Sequence, residues 1–370
     1  MPPPPDAARP DAARPGQTLP SPQENKKSAP LVIPIFIPQI GCPHQCAFCN
    51  QTLITDKKAV LPDCGQISRE VNRYLYFKGN RSIVQLAFFG GTFLGLENTD
   101  IKALLDCGQD LVNQGSITTM RFSTRPDTIT TRTLNGLQGY AVQTIEIGAQ
   151  SMDDQVLSLA KRGHTADCTV RAVEQLNARG YETGIQIMTG LPGETRDSAI
   201  ESAEKAADLC PDFVRIYPLV ILKKSLVHKW FLRGEFTPLS LEECVTRVKE
   251  IFLIFEKKNI PVIRMGLQTS PSLQEKETIA AGPWHPAFGH LVFSEIFLDK
   301  TLALLKKILL KQSNADLMDQ PITLCVHPAS ESRLRGNKNT NIKKISALYP
   351  GIDLNIRTDA ALGRDQVTLQ

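Results

Sequence analysis

Three cysteines fall within GCPHQCAFCN, residues 41–50, and no other stretch constrains the fold of this chain as tightly. Cys42, Cys46 and Cys49 are separated by four and then three positions. Thiolates are soft ligands, and three on one short loop can hold three irons of a 4Fe–4S cluster. The fourth iron is then left open to a small molecule. Gly41 and Pro43 suit a chain that wraps tightly round such a group. Phe48, just before the last cysteine, would shield it from water. Zinc is the alternative, because the three cysteines and His44 would make a closed tetrahedral site. Just ahead, LVIPIFIPQI (residues 31–40) reads as a short buried strand that delivers the chain to the loop. Its apolar run is too short to cross a membrane.

A repeating rhythm follows. SIVQLAFFGG (82–91), TTMRFSTRPD (118–127), VQTIEIGAQS (142–151), ETGIQIMT (182–189) and FVRIYPLV (213–220) read as further buried strands. Helical spacing lies between them, as at 99–113, where Ile101, Leu104, Leu105 and Leu111 share a face. Strands alternating with helices imply βαβ units and a parallel sheet. Six units fall short of a closed eight-stranded barrel. The expected fold is therefore α/β, an open partial (βα)6 barrel over residues 30–268. In such folds function gathers at the carboxyl ends of the strands, where the cysteine loop falls.

The cysteine spacing, with its preceding aromatic, resembles the cluster loop of radical S-adenosylmethionine (radical SAM) enzymes. In that superfamily the amino and carboxylate groups of SAM chelate the open iron. An electron from the cluster then cleaves SAM to a 5′-deoxyadenosyl radical. The resemblance implies the same partial barrel, a 4Fe–4S cluster, SAM and a reducing electron donor. FFGGTF (88–93) looks like the glycine motif that meets the amino group of SAM, which makes Gly90, Gly91 and Thr92 expected contacts. STRPD, EIGAQS and KRGHT (161–165) occur in the order found in the radical SAM domain of the Elongator catalytic subunit. IYPLVILKKS and WFLRGEFTPLSLEE continue the likeness, which runs from about Pro34 to Gln268.

A more distant similarity to oxygen-independent coproporphyrinogen dehydrogenases implies that Ser123, Gln150, Arg162 and Gln186 line the SAM pocket. Gln186 departs from that pattern, which has an acid there. Glu146 shares a strand face with Gln150, since their spacing is even. It could reach a ribose hydroxyl or pair with Arg125, and Arg162 could equally be a helix-end charge. His164 has no evident partner in the sequence and is left out of the site.

Elsewhere the chain is that of an ordinary soluble protein, 42% hydrophobic and 22% charged, and a net charge of +4 does not announce a nucleic-acid binder. Residues 1–29 are rich in Pro and Ala, repeat DAARP, and have no apolar core of a secretory signal. This segment is expected to be disordered, and the protein cytoplasmic. Cys64, Cys107, Cys168, Cys210, Cys244 and Cys325 are scattered singly and read as small buried thiols in a reducing compartment.

After Gln268 the Elongator likeness stops, with no acetyltransferase glycine loop. Residues 269–370 read as a small α+β appendage: a helix near 287–311, a strand at 322–326, a helix near 337–348 and a strand in DLNIRT. Lys306, Lys307, Lys311, Arg333, Arg335, Lys338, Lys343 and Lys344 make it basic, either as a solvated surface or as a patch for RNA. AGPWHPAFGH (281–290) could cover the open mouth of the barrel or simply pack between domains. The function expected is SAM cleavage for radical chemistry on an unidentified substrate. The alternative is an RNA-binding scaffold that keeps the fold around structural zinc.

Overall fold

The computed structural model describes residues 29–50, 60–267, 278–310 and 322–370. Most of the segment expected to be disordered, and Lys311, lie outside the described residues.

The first half alternates as its hydrophobic pattern requires. β1 (Leu31–Ile37) leads through the cysteine loop towards α1 (Cys64–Leu75). Then come β2 (Val84–Gly90), α2 (Asn98–Asn113), β3 (Thr119–Thr124), α3 (Thr131–Asn135) and β4 (Val142–Gln150). Next are α4 (Asp154–Leu159), α5 (Ala166–Asn177), β5 (Glu182–Thr189), α6 (Arg196–Asp208) and β6 (Phe213–Pro218). β7 (Ile221–Leu222), α7 (Leu226–Leu232), α8 (Leu241–Lys257) and β8 (Val262–Met265) complete the core. Among the described residues the main sheet is seven-stranded and parallel, in the order β1-β2-β3-β4-β5-β6-β8. It curls into a half barrel with the helices outside.

The architecture matches the expected partial barrel, with one strand more. β8 is only four residues long, shorter than the five or six typical of a strand, so its pattern carries little signal. The outward faces of the strands are apolar because helices cover them. On α2, Leu104, Leu105 and Leu111 are buried as their spacing predicts. The stretch ending in PLSLEE proves to be a helix start: Ser240 Oγ accepts from Glu243 N at 3.2 Å, and Ser240 N donates to Glu243 Oε2 at 2.9 Å. This reciprocal pair satisfies two otherwise orphaned donors of α8.

The cysteines depart from expectation. Cys64, at the start of α1, is disulfide-bonded to Cys107 on α2, with Cα atoms 5.7 Å apart. Forty-three positions separate the two in sequence, so spacing could not reveal the pair. Cys244 and Cys325 are buried as anticipated, but Cys168 is only partly buried and Cys210 is exposed.

The tail begins with β9 (Ile279–Ala281), which pairs antiparallel with β7. Helix α9 (Phe288–Leu309) follows, and its Phe288, Val292 and Ile296 join the main core. Its later turns carry a separate three-stranded sheet. β10 (Ile322–Val326) lies between β11 (Leu354–Thr358) and β12 (Val367–Leu369), with α10 (Glu331–Arg335) and α11 (Thr340–Leu348) beside it. The sequence reading found the helix α9, β10, α11 and β11, but not β9, α10 or β12. No helix among the described residues is long and apolar enough to cross a membrane.

Phe88, Phe93 and Phe122 stack in the core under the end of β2, with ring centroids 5.2 and 4.4 Å apart, and all three are fully buried. Truncating the Phe122 ring on β3 leaves a cavity in this stack. Phe122→Ala should therefore cost about 3–5 kcal/mol in denaturant unfolding. A loss below about 1 kcal/mol would mean that the stack is not part of the stability core.

Candidate functional site

The cysteine loop is clasped from two sides. On one side lies the FFGGTF segment, where the sequence reading placed SAM contacts. A Cβ on Gly90 (φ +108°) would sit 2.6 Å from Ile37 O, and one on Gly91 would sit 2.5 Å from Pro38 O. Gly91 N donates to Ile37 O at 2.9 Å. Further along, a Cβ on Gly95 would meet Gly41 O at 2.0 Å. The close backbone approach expected of these glycines is therefore made to the chain's own loop. They form a seam on which Gly41 and the cysteines after it rest.

The other side is supplied by KRGHT and IYPLVILKKS. Ala47 N donates to Ala160 O, and Val227 N donates to Ala47 O, both at 2.9 Å. Asn50 Nδ2 donates to Lys223 O at 2.8 Å. Phe48 packs into two small apolar clusters, one with Ile221 and Val227 and the other with Val156, Ala160 and Leu191. Ala280 and Ala281, where the AGPWHP segment begins, join the first of these, so the start of that segment lies against the cysteine loop. A Cβ on Gly163 would come within 2.5 Å of the His44 ring; the turn after α4 is shaped to receive it.

The sulfurs have specific partners. Cys42 Sγ and Thr92 Oγ1 are hydrogen-bonded at 3.2 Å. Arg162 is buried, not a solvated helix end; its Nη1 donates to Cys46 Sγ at 3.0 Å and its Nη2 donates to Gly148 O. Arg125 Nη1 stands 3.9 Å from the same sulfur. Asp127 holds Arg125 with both carboxylate oxygens at 2.9 Å, and Arg125 also donates to Arg162 O. Among the described residues no three His, Cys, Asp or Glu side chains converge as a ready metal cage. In kind, however, the donor set suits an iron–sulfur cluster, with three thiols on one loop and two guanidiniums to offset an anionic centre. Gln150, at φ +72° beyond a bulge in β4, keeps a buried Oε1 with no hydrogen-bond partner. An orphaned buried acceptor next to the thiols is what a bound donor group would satisfy. His44, the fourth ligand of the zinc alternative, has its ring against Gly163 instead.

Deeper in the half barrel, the predicted Ser123, Glu146 and Gln186 come together. Gln186 Nε2 donates to Ser123 Oγ at 3.1 Å and to Glu146 Oε2 at 2.9 Å. Glu146 is fully buried and ion-paired with Arg121 and Arg215. Its partner is not Arg125, and its carboxylate is committed to this network. Arg121 and Arg215 escaped the sequence reading. The signal was there: a charged residue inside the buried strand runs MRFST and FVRIYP has to face a lumen.

His164 is buried, and desolvation together with the neighbouring Arg162 charge pushes its imidazole down to about 4. It is a neutral ring at physiological pH. In the tail, Arg335 pairs with Glu331, Lys344 with Glu295, and Arg333 lies over the Phe293 ring at 4.2 Å. The basic region is thus partly neutralised within the chain.

The three-thiol loop is thus clasped at the carboxyl ends of a parallel half barrel, where α/β folds gather their functional residues. The family model described as the radical SAM superfamily matches residues 36–206, and that of the radical SAM C-terminal domain matches residues 211–297. The chain belongs to the radical SAM superfamily and is an enzyme. A solved structure of Elp3 from Methanocaldococcus infernus shares the fold, with a TM-score of 0.56 and 20% identity over 73% of this chain and 63% of that one. The tRNA uridine(34) acetyltransferase of the same archaeon is 32% identical over 129 residues, 33% of this chain and 23% of that protein. Protein YhcC of Escherichia coli is 26% identical over 204 residues, covering 54% and 63%. The chain therefore spans less than two thirds of either curated relative.

The glycine seam gives a direct test. Gly91→Val should reduce iron incorporation as well as SAM binding, because its side chain displaces the loop backbone at Pro38. Glu201→Val, at an exposed position in the middle of α6, serves as the comparison. Iron content and calorimetry of reconstituted protein read the two effects; full iron with weakened SAM binding would contradict a supporting role for Gly91. His164 makes a second expectation. Between pH 6.5 and about 4 the unfolded chain takes up a proton that the folded ring refuses, so stability falls as pH drops through that window. His164→Gln should flatten that slope in urea titrations of the cluster-free protein. An unchanged slope would show that the ring is not held neutral.

Proposed function

We propose that Cys42, Cys46 and Cys49 hold a 4Fe–4S cluster at which SAM is reductively cleaved for radical chemistry on a further substrate. The observation that carries this reading is the double clasp. A ten-residue thiol loop is fixed on one side by glycine backbone and on the other by the Arg162 turn, with guanidiniums aimed at Cys46. When bound, the cluster would supply an electron to SAM, giving methionine and a 5′-deoxyadenosyl radical. The protein's own part is to hold, orient and exclude.

Arg162 and Arg125 offset the negative charge that thiolate ligation brings. Thr92, hydrogen-bonded to Cys42, and the unsatisfied carbonyl of Gln150 are the groups available to the amino end of SAM. Phe48 keeps water from the third thiol, and Ser123 and Gln186 line the path inward. Glu146 acts by fixing Gln186 and two arginines, not by touching SAM. An external reductant is required.

Cys42→Ala, Cys46→Ala and Cys49→Ala should each abolish iron–sulfur absorbance and SAM cleavage in anaerobically prepared protein. Cys210→Ala, far from the loop, should leave both intact. Full cluster loading in Cys46→Ala would sink the assignment. A colourless protein carrying zinc and binding bulk transfer RNA would favour the scaffold reading instead.

A further inference from the structure

Among the described residues, the inner wall of the half barrel carries positive charge that its carboxylates do not balance. Arg121 on β3 and Arg215 on β6 share the single carboxylate of Glu146. Arg264 on β8 stands directly opposite Arg215 in the strand register, and paired residues of parallel strands face the same way. Arg215 faces the lumen, since its guanidinium lies 5.2 Å over the ring of Phe89 on β2. Past the register shift that follows Val214, Arg264 therefore faces it as well. No ion pair to Arg264 is formed by the described residues. The other inward carboxylate, Glu182, is the first residue of β5, at the amino end of the barrel, and accepts from Thr144.

These groups form a built surface. Phe89 is an aromatic floor and Arg215 is anchored by Glu146, with Tyr217 two residues further on the same face of β6. Arg264 and Tyr217 are half-buried. A guanidinium is a rigid fork that matches carboxylate and phosphate oxygens, and in a partly desolvated wall it binds them more strongly than at a free surface. Neutral or cationic substrates gain nothing from such a wall. Arg264 itself stands on β8, the edge strand opposite β1, from which the cysteine loop runs.

We propose that the substrate of this enzyme bears a carboxylate or phosphate group, and that Arg264 and Tyr217, backed by Arg215, dock it inside the half barrel. This rests on the reading of the lumen as the chamber of a SAM-cleaving enzyme.

The test uses full-length, cluster-loaded protein in anaerobic calorimetry, with inorganic pyrophosphate and succinate as probes. Sodium chloride keeps ionic strength constant. At least one probe should bind saturably, and the better one identifies the group. Arg264→Gln should weaken that probe about tenfold or more, the size expected for a lost charge-assisted contact. Arg264→Lys should recover part of it, because the charge returns without the fork. SAM affinity should be the same in all three proteins. The proposal is overturned if neither probe binds above the chloride control, or if Arg264→Gln binds as the unaltered protein does. It is also overturned if Arg264→Gln loses SAM affinity, because the arginine would then serve the SAM carboxylate. Unaltered protein that fails to bind SAM yet binds the probe through Arg264 would sink the SAM-cleaving reading while leaving the anion site standing.

Discussion

A loop that must present three thiols cannot spend its backbone groups on helix or strand ladders, and something else has to satisfy them. Here the neighbours do so. Ala47 alone uses its N–H on Ala160 and its carbonyl on Val227, tying the loop to the segments that follow β4 and β6. The opposite flank has no side chains to spare, and backbone meets backbone at Gly41, Gly91 and Gly95. The position of the sulfurs thus depends on contacts made by three separate strand ends. Local strain at any of them reaches the thiols without touching a cysteine.

The lumen follows a different logic. Burying two arginines and a glutamate is not a stabilising choice in itself, since desolvation consumes most of the attraction. What the network provides is direction. Glu146 holds Arg121 and Arg215 on one oxygen pair and takes a hydrogen bond from Gln186, which in turn donates to Ser123. A chain of fixed donors and acceptors crosses four adjacent strands, β3 to β6. Apolar residues of the same volume would fold the barrel but leave it without polar orientation.

The sequence was most readable where one physical cause acts alone. Parallel strands covered on both sides are long apolar runs, so β1 to β6 stood out, whereas VIRM was too short to register. The cysteine loop was legible because three soft ligands at that spacing have few other uses. Contacts between segments were not. FFGGTF was read as a surface for a ligand, and its glycines in fact receive the loop. Arg162 of KRGHT was open to two readings, a pocket-lining residue or a helix-end charge, and it is buried with its Nη1 on Cys46. Glu146 was rightly set on the inner face of β4, yet its partners came from β3 and β6, which no local pattern can name. The Cys64–Cys107 link belongs to the same class, since only the packing of α1 on α2 brings the two residues together.

The two ends of the site therefore answer to different kinds of change. At the thiol end, position is fixed by glycine backbone and by a few buried hydrogen bonds, and almost any added atom is a collision. At the β6–β8 end, it is fixed by side chains standing on a tolerant sheet, where Tyr217 and Arg264 can be exchanged without moving a strand. A fold shared with proteins of other activities says little about substrate. The residues that can say more are those free to vary while the frame stays put, and in this chain they line the wall furthest in the sheet from the cysteines. Charge on that wall, not the family resemblance, is the physical statement this protein makes about what it accepts.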